Sequence, residues 1–189
     1  MQKMSITGLS FRPKLISLSR MKGLWKRLFT AVIFVIIMVV GHYTGPYTFS
    51  ALFLIIAIGC LWEFFGLTLD LHTRRDLYRK LLGMALGILP FALVTTLSLM
   101  KINEPENFIS LASLLFSPFV FLIFIYELYS NSREPFANIA FMILGLFYIG
   151  IPFALVNFIA FDGEEFMNRV VLGLLVLTWV NDTGAYLIG

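Results

Sequence analysis

The chain has 189 residues, of which 59% are hydrophobic and 13% are charged, whereas a soluble domain is typically about 25% charged. This composition predicts an integral membrane protein and excludes an ordinary soluble enzyme. The net charge of +3 comes from basic residues beside apolar runs, so we expect membrane topology to explain it and expect no nucleic acid partner. Cys60 is the single cysteine, which excludes an intrachain disulfide and a cysteine metal cluster.

Six apolar stretches approach the roughly 20 residues that a helix needs to cross a bilayer. They are Trp25–Thr44, Tyr47–Leu69, Leu81–Met100, Phe108–Tyr129, Ala137–Phe161 and Val170–Ile188. The first is interpreted as an uncleaved helix, because no A-x-A-like cleavage site follows it. The sequence therefore predicts an all-α, polytopic membrane helix bundle of about six transmembrane helices. Residues 1–24 are predicted to form a basic cytoplasmic tail, and residues 25–189 the transmembrane helical domain.

The loop charges predict the orientation of the bundle. Twelve of the 14 basic residues fall in the N-terminal tail, in the second-to-third connection, which includes Arg79 and Lys80, and in the fourth-to-fifth connection at Arg133. The alternate loops hold only Lys101 and Arg169. The positive-inside rule then places the N-terminus in the cytoplasm. The two histidines, His42 and His72, are predicted to lie in solvated loops on opposite sides, which argues against a histidine metal site.

Glycine and alanine pairs four residues apart recur in the apolar stretches. Examples are Gly83/Gly87 and Gly150/Ala154. Such spacing lets helix backbones approach closely in a membrane. It predicts a packed bundle and nothing more specific.

Three acidic residues, Glu63, Glu127 and Asp182, lie in or beside the predicted spans. At 1.5 Å per residue they fall about 24, 28 and 20 Å below the outer ends of their helices, in the cytoplasmic half of the membrane. Carboxylates at that depth could hold a hard cation such as Mg²⁺ through oxygen ligands. Glu127 is most simply interpreted as an interfacial residue in contact with water. Glu63 fits either an interfacial position or a hydrogen bond between helices.

Asp182 is the strongest candidate for a functional residue. A charged side chain at the bilayer centre costs roughly 2.5–3.5 kcal/mol on insertion scales, so it usually marks a function. Asn181 and Thr183 flank Asp182, and Tyr186 follows one helical turn later on the same face. A hydrogen bond between helices is the alternative explanation, but packing alone does not explain so dense a polar group in an apolar helix.

The segment Trp179-Val-Asn-Asp-Thr-Gly-Ala-Tyr-Leu-Ile-Gly189 resembles the phosphatidate cytidylyltransferases (CDP-diacylglycerol synthases), in which it reads approximately W-x-x-D-T/S-x-A-Y-x-x-G. Two weaker matches occur in the same order. One is Lys26-Arg27-Leu-Phe-Thr-Ala followed by Leu61-Trp62-Glu63, and the other is Pro135-Phe-Ala-Asn-Ile-Ala140 leading to Gly145-Leu-Phe-Tyr148. The family continues into an S-P-K-K-T-W-E-G motif and a carboxylate-rich signature. These are not in this sequence, so we expect an N-terminal portion that is inactive alone.

The resemblance implies the reaction CTP + phosphatidate → CDP-diacylglycerol + pyrophosphate, in phospholipid biosynthesis at the inner (cytoplasmic) membrane. It implies Mg²⁺ as cofactor, CTP, phosphatidate and the lipid bilayer as partners, and leaves a homodimer open. Asp182 is expected to be the catalytic and metal-binding residue. Asn181 and Tyr186 are expected to support the substrate, and Glu63 to line the cavity.

Two alternatives stay open on the sequence. One is a small multi-spanning transporter or channel-like protein in which Asp182 lies on the ion path. The chain shows neither an inverted repeat nor the paired broken helices that transporters often carry. The other is a lipid-alcohol kinase of related helical architecture.

Overall fold

A computed structural model of the chain describes residues 18–69, 74–101, 105–162 and 165–188. Almost all of them are helical, which confirms the predicted all-α fold. The helices are α1 (Leu18–Thr44), α2 (Pro46–Thr68), α3 (Arg74–Leu99), α4 (Pro105–Tyr129), α5 (Pro135–Gly145), α6 (Ile151–Ala160) and α7 (Asn168–Ile188). A π-helical segment, Leu146–Gly150, joins α5 to α6 without interruption. A short antiparallel pair, β1 (Phe161–Asp162) and β2 (Glu165–Phe166), precedes α7.

Four helical stretches in the described part of the chain are long and apolar enough to cross a membrane. They are Pro46–Thr68, Asp76–Leu99, Ser110–Tyr129 and Pro135–Ala160, and they correspond to the second to fifth predicted spans. The first predicted span lies in α1, which contains a shorter apolar stretch, Phe29–Thr44. The sixth lies in α7. The protein is therefore a membrane helix bundle.

The chain divides into two compact units, Met1–Ile37 and Met38–Gly189. In the first unit, residues 18–37 belong to α1, while residues 1–17 of the predicted tail lie outside the described residues. The second unit contains the end of α1 and all of the later elements. The contacts described below are all within this second unit.

Helix α3 lies at the centre of the second unit, where it contacts α2, α4, α5, the π segment and α6. Glycines make this close packing possible. A Cβ atom on Gly83 would lie 2.9 Å from the Met142 side chain, and one on Gly87 would lie 2.8 Å from Leu61. A Cβ atom on Gly150 would collide with the backbone carbonyl of Gly87. The close approach of helices that the small residues predict is confirmed at these positions.

Two apolar clusters fill the bundle. One, around Leu61, Phe65 and Met142, lies toward the end of the bundle at which α2 and α4 finish and α3 and α5 begin. We call this end the Arg79 end. The other cluster, around Phe49 and Ala160, lies toward the opposite end.

The environment of His42 differs from the prediction. Its side chain is fully buried, its Nδ1 donates a hydrogen bond of 2.7 Å to the Met38 carbonyl, and its ring packs edge-on against Phe49 and Phe53. The prediction of a solvated loop histidine is wrong because no loop separates α1 from α2. Gly45 alone makes the turn, with a φ of 139° that residues with a side chain rarely adopt. His72 lies outside the described residues.

The π segment explains how an apolar helix accommodates Pro152. A proline inside a regular α-helix lacks an amide donor, and its ring clashes with the carbonyl four residues earlier. Here the amide of Ile151 donates to the carbonyl of Leu146, five residues earlier, so the helix is widened just before the proline. The same widened turn contains Gly150, which lies against α3.

Candidate functional site

The predicted site residues on α7 are exposed, and two of them, Asp182 and Tyr186, lie one turn apart on the same face of the helix. Asn181, Asp182 and Thr183 are all exposed, and Tyr186 is 87% exposed. The Thr183 hydroxyl donates a hydrogen bond of 2.7 Å to the Trp179 carbonyl of its own helix. This leaves the Asp182 carboxylate as the charged group that the face presents.

The start of α7 locates this face along the bundle. Val171, in the first turn, is buried in the cluster that contains Phe49 and Ala160, at the end opposite the Arg79 end. Asp182 follows eleven residues later, which is about 16 Å along a helix. An ionised side chain exposed toward lipid would be costly. Apolar residues of α7 such as Leu177 and Val180 are exposed too, so it is the charge of Asp182, and not its exposure alone, that favours contact with water or a polar ligand.

Asp182 would need other ligands to hold a metal ion. Within the described ranges, no group of three or more histidine, cysteine or acidic side chains is close enough together to bind one. Mg²⁺ is usually held by one or two carboxylates together with water and substrate phosphates. Asp182 would therefore hold a Mg²⁺ ion only together with ligands from a bound nucleotide and water.

Glu63 is exposed near the end of α2. It makes no hydrogen bond or ion pair with other residues in the part of the chain that the structure describes, so the alternative of a hydrogen bond between helices finds no support. Its neighbour Trp62, in contrast, contacts a side chain of α3. The Lys80 Nζ atom lies 3.7 Å from the centre of the Trp62 ring.

Glu127 differs most from its prediction. Rather than facing water at the interface, it is 1% exposed and forms an ion pair with Arg79 of α3. Asn138 of α5 also approaches the Glu127 carboxylate, with its Nδ2 3.3 Å from Oε2. The interfacial interpretation is wrong because tyrosine neighbours in sequence say nothing about which face of the helix meets α3.

Arg79 is the centre of this buried polar network. Besides Glu127, its guanidinium donates to Asp76 at 2.5 Å and to the Ser130 hydroxyl at 3.2 Å. Asn138 extends the network with a hydrogen bond of 2.8 Å to the Ser132 hydroxyl. The network joins α3, the end of α4 and the start of α5 at the Arg79 end.

Arg79 and Lys80 are assigned to a loop by the sequence, but the structure places both inside α3. The helix begins at Arg74, and both side chains are buried. The signal for the Arg79–Glu127 pair is present in the sequence: opposite charges occur at matching ends of two antiparallel apolar helices. No hydrogen bond or ion pair among the described residues links the network to Glu63, Asn181, Asp182 or Tyr186.

Comparison with known protein families shows what the chain is similar to. The model of the cytidylyltransferase family matches residues 25–189, which is most of the chain. No curated protein and no solved structure matches the chain significantly. The match favours nucleotidyl transfer with CTP over the transporter and lipid-alcohol kinase alternatives. Because the match covers nearly all of the chain, this membrane protein belongs to the cytidylyltransferase family.

Proposed function

We propose that the lipid acceptor of this cytidylyltransferase is phosphatidate and that the product is CDP-diacylglycerol. An oxygen of the lipid phosphate attacks the α-phosphorus of CTP. The bond from that phosphorus to the oxygen bridging the α- and β-phosphates breaks, and pyrophosphate leaves. The observation that carries the proposal is the exposed Asp182 carboxylate, next to the Asn181 amide and with Tyr186 one turn later, on a helix of a membrane bundle.

The two substrates of this reaction come from different phases. Phosphatidate keeps its acyl chains in the bilayer, whereas CTP arrives through water. A site on a membrane helix with an exposed carboxylate is suited to both. We propose that the Arg79 end and the N-terminus face the cytoplasm, where CTP is made, at the inner membrane of the cell.

Each candidate residue has a role in this proposal. The Asp182 carboxylate would hold the cation, and the Asn181 amide and the Tyr186 hydroxyl donate hydrogen bonds to phosphate oxygens of CTP. Mg²⁺, when bound, offsets negative charge on the phosphates and on the leaving group. Glu63 lines the approach to the site. Catalysis of this kind rests mainly on positioning and electrostatics.

The experiment that tests the proposal uses the purified full-length gene product in lipid vesicles, with labelled CTP. We expect CDP-diacylglycerol and an equal amount of pyrophosphate when phosphatidate is the acceptor. Diacylglycerol, which lacks the attacking phosphate, serves as the control acceptor and should yield neither product. Turnover with other phosphorylated acceptors but not with phosphatidate would contradict the proposal and leave the family assignment intact. Phosphorylation of a lipid alcohol would instead favour a kinase.

A further inference from the structure

Lys80 is a buried cation, and the part of the chain that the structure describes provides no counter-ion for it. The residue is 4% exposed, and its Nζ lies against the ring of Trp62. No carboxylate of the described residues pairs with it. An ammonium group has three N–H donors, and a ring face satisfies only part of this capacity.

The neighbouring residue, Arg79, is a buried cation whose charge is compensated by carboxylates of the same chain. Arg79 is equally buried, but the carboxylates of Glu127 and Asp76 both contact its guanidinium. Burial of an unpaired charge is costly. Of these two consecutive buried cations, Arg79 is paired with carboxylates, whereas no carboxylate among the described residues compensates the charge of Lys80.

The surroundings of Lys80 indicate what kind of anion could reach it. Lys80 lies four residues inside the membrane-spanning stretch Asp76–Leu99. The side chains of Leu77 and Leu81 on either side are exposed, as is Leu67 of α2, and Trp62 is 49% exposed. Gly66 presents no side chain, and a Cβ atom there would lie 3.3 Å from the Lys80 Nζ. An apolar surface with a half-exposed indole near a helix end is typical of the membrane interface, which is where lipid phosphates lie.

We propose that Lys80 and Trp62 form a binding site for the phosphate group of an anionic membrane lipid. The Lys80 ammonium supplies the charge and the N–H donors, and Trp62 separates them from the apolar part of the bilayer. Gly66 has no side chain to crowd the ammonium, since a Cβ atom there would already lie 3.3 Å from the Lys80 Nζ. The position of Lys80 inside a membrane span, among exposed leucines, favours a lipid phosphate over the phosphates of CTP. That the bound lipid is the acceptor substrate rests on the proposed function.

The first test measures lipid binding directly at Trp62. Full-length protein with Trp25→Phe and Trp179→Phe keeps Trp62 as its tryptophan within these 189 residues, and any later tryptophan is also replaced. The protein is reconstituted in phosphatidylcholine and titrated with brominated phosphatidate or brominated phosphatidylglycerol, which quench a nearby indole. We expect quenching at about tenfold lower mole fraction than with brominated phosphatidylcholine, because a charge-assisted hydrogen bond is roughly of that strength.

Matched variants distinguish lipid binding at Lys80 from a general attraction of the protein for anionic lipids. Lys80→Met keeps the length of the side chain without its charge and should abolish the preference, while Lys80→Arg should keep most of it. Arg133→Gln removes an exposed cation and should change nothing. An equal preference for phosphatidylglycerol would identify a general phosphate site, and a preference for phosphatidate alone a substrate site. The proposal would be overturned if the preference for anionic lipid survived Lys80→Met. It would also be overturned if the protein with Lys80 intact showed no such preference.

The second test is kinetic. We expect Lys80→Met to raise the KM for phosphatidate by about tenfold and to leave the KM for CTP unchanged, which a merely structural role would not do. An unchanged KM for phosphatidate would show that the lipid bound at Lys80 is not the acceptor substrate. If the unsubstituted enzyme does not convert phosphatidate at all, the proposed function fails, and the quenching experiment still decides whether Lys80 binds a lipid phosphate.

Discussion

Two carboxylates in this membrane protein are placed in opposite environments. Glu127 is buried and paired with Arg79, whereas Asp182 is exposed on α7. The sequence singles out both as acids near one end of the bundle, but it does not distinguish them, because side-chain exposure depends on which helix face meets a neighbour. Glu127 is consequently a residue for stability, whereas the functional role of Asp182 stays a prediction.

Replacement of Asp182 by asparagine tests its function. Asn keeps the size of the side chain and removes its charge, so we expect the protein to accumulate normally in membranes, since the charge is what makes insertion costly. If Asp182 positions the CTP phosphates, cytidylyl transfer should fall by about 100-fold or more. A parallel Thr183→Val variant removes a hydroxyl that bonds only within its own helix and serves as the control. Near-normal activity of Asp182→Asn would exclude the residue from the mechanism.

Replacement of Glu127 by alanine tests the buried network. Loss of one member of a buried ion pair leaves the other charge uncompensated and typically costs about 3–5 kcal/mol. We expect a marked fall in the thermal midpoint of the detergent-solubilised protein. The exposed Glu134 at the start of α5 provides a matched control, and Glu134→Ala should leave the midpoint nearly unchanged.

A second substitution shows whether the loss comes from the unpaired Arg79. The double variant Arg79→Met with Glu127→Leu removes both charges, so it should recover much of the stability lost in Glu127→Ala. A double variant no more stable than the single one would mean that packing, rather than the ion pair, accounts for the loss.

The helices pack around α3 because glycines replace side chains at its contacts. At Gly150 the backbone of the π segment touches the carbonyl of Gly87 directly. The sequence indicates that small residues occur at helical spacing, but not which of them face a neighbour. Gly173 of α7, for example, has open space around it, although it is equally a glycine within an apolar helix.

Gly150→Ala should therefore destabilise the bundle, whereas Gly173→Ala should not. The added methyl group at Gly150 meets a backbone carbonyl that cannot move aside, and overpacking of this kind costs typically about 1–3 kcal/mol. At Gly173 the methyl group meets nothing within 4 Å, and alanine favours the helix. Thermal midpoints of the two variants in the same detergent test this, and equal midpoints would refute the close contact of α3 with the π segment.

For the whole molecule, the alternation of helix directions is confirmed by contacts at the Arg79 end. Lys80 reaches Trp62 of α2, Arg79 reaches Glu127 of α4, and Asn138 of α5 joins them. These contacts place the second-to-third and fourth-to-fifth connections at one end, as the loop charges predict. Which side of the membrane that end faces is a separate matter and stays a prediction.

Cysteine labelling in intact cells tests the orientation. Cys60 is free and exposed, so it is first replaced by serine. Cysteines at Arg75 and Arg133 should then be shielded from an impermeant thiol reagent, because positively charged loops stay in the cytoplasm. Cysteines at Asn103 and Gly163, two positions outside the described residues, should label. Labelling at position 75 in sealed cells would reverse the orientation and separate Asp182 from cytoplasmic CTP.

The sequence by itself determined that this protein is a helical membrane bundle, because the length and apolarity of a span are properties of consecutive residues. It likewise pointed to Asp182 and the family, since both depend on a local motif. Only the tertiary structure decided that His42, Arg79, Lys80 and Glu127 are buried. Burial depends on side chains from helices far apart in the chain. Neighbouring residues in sequence therefore predicted loops and interfaces where the folded bundle forms a core, a buried ion pair and a buried lysine against Trp62.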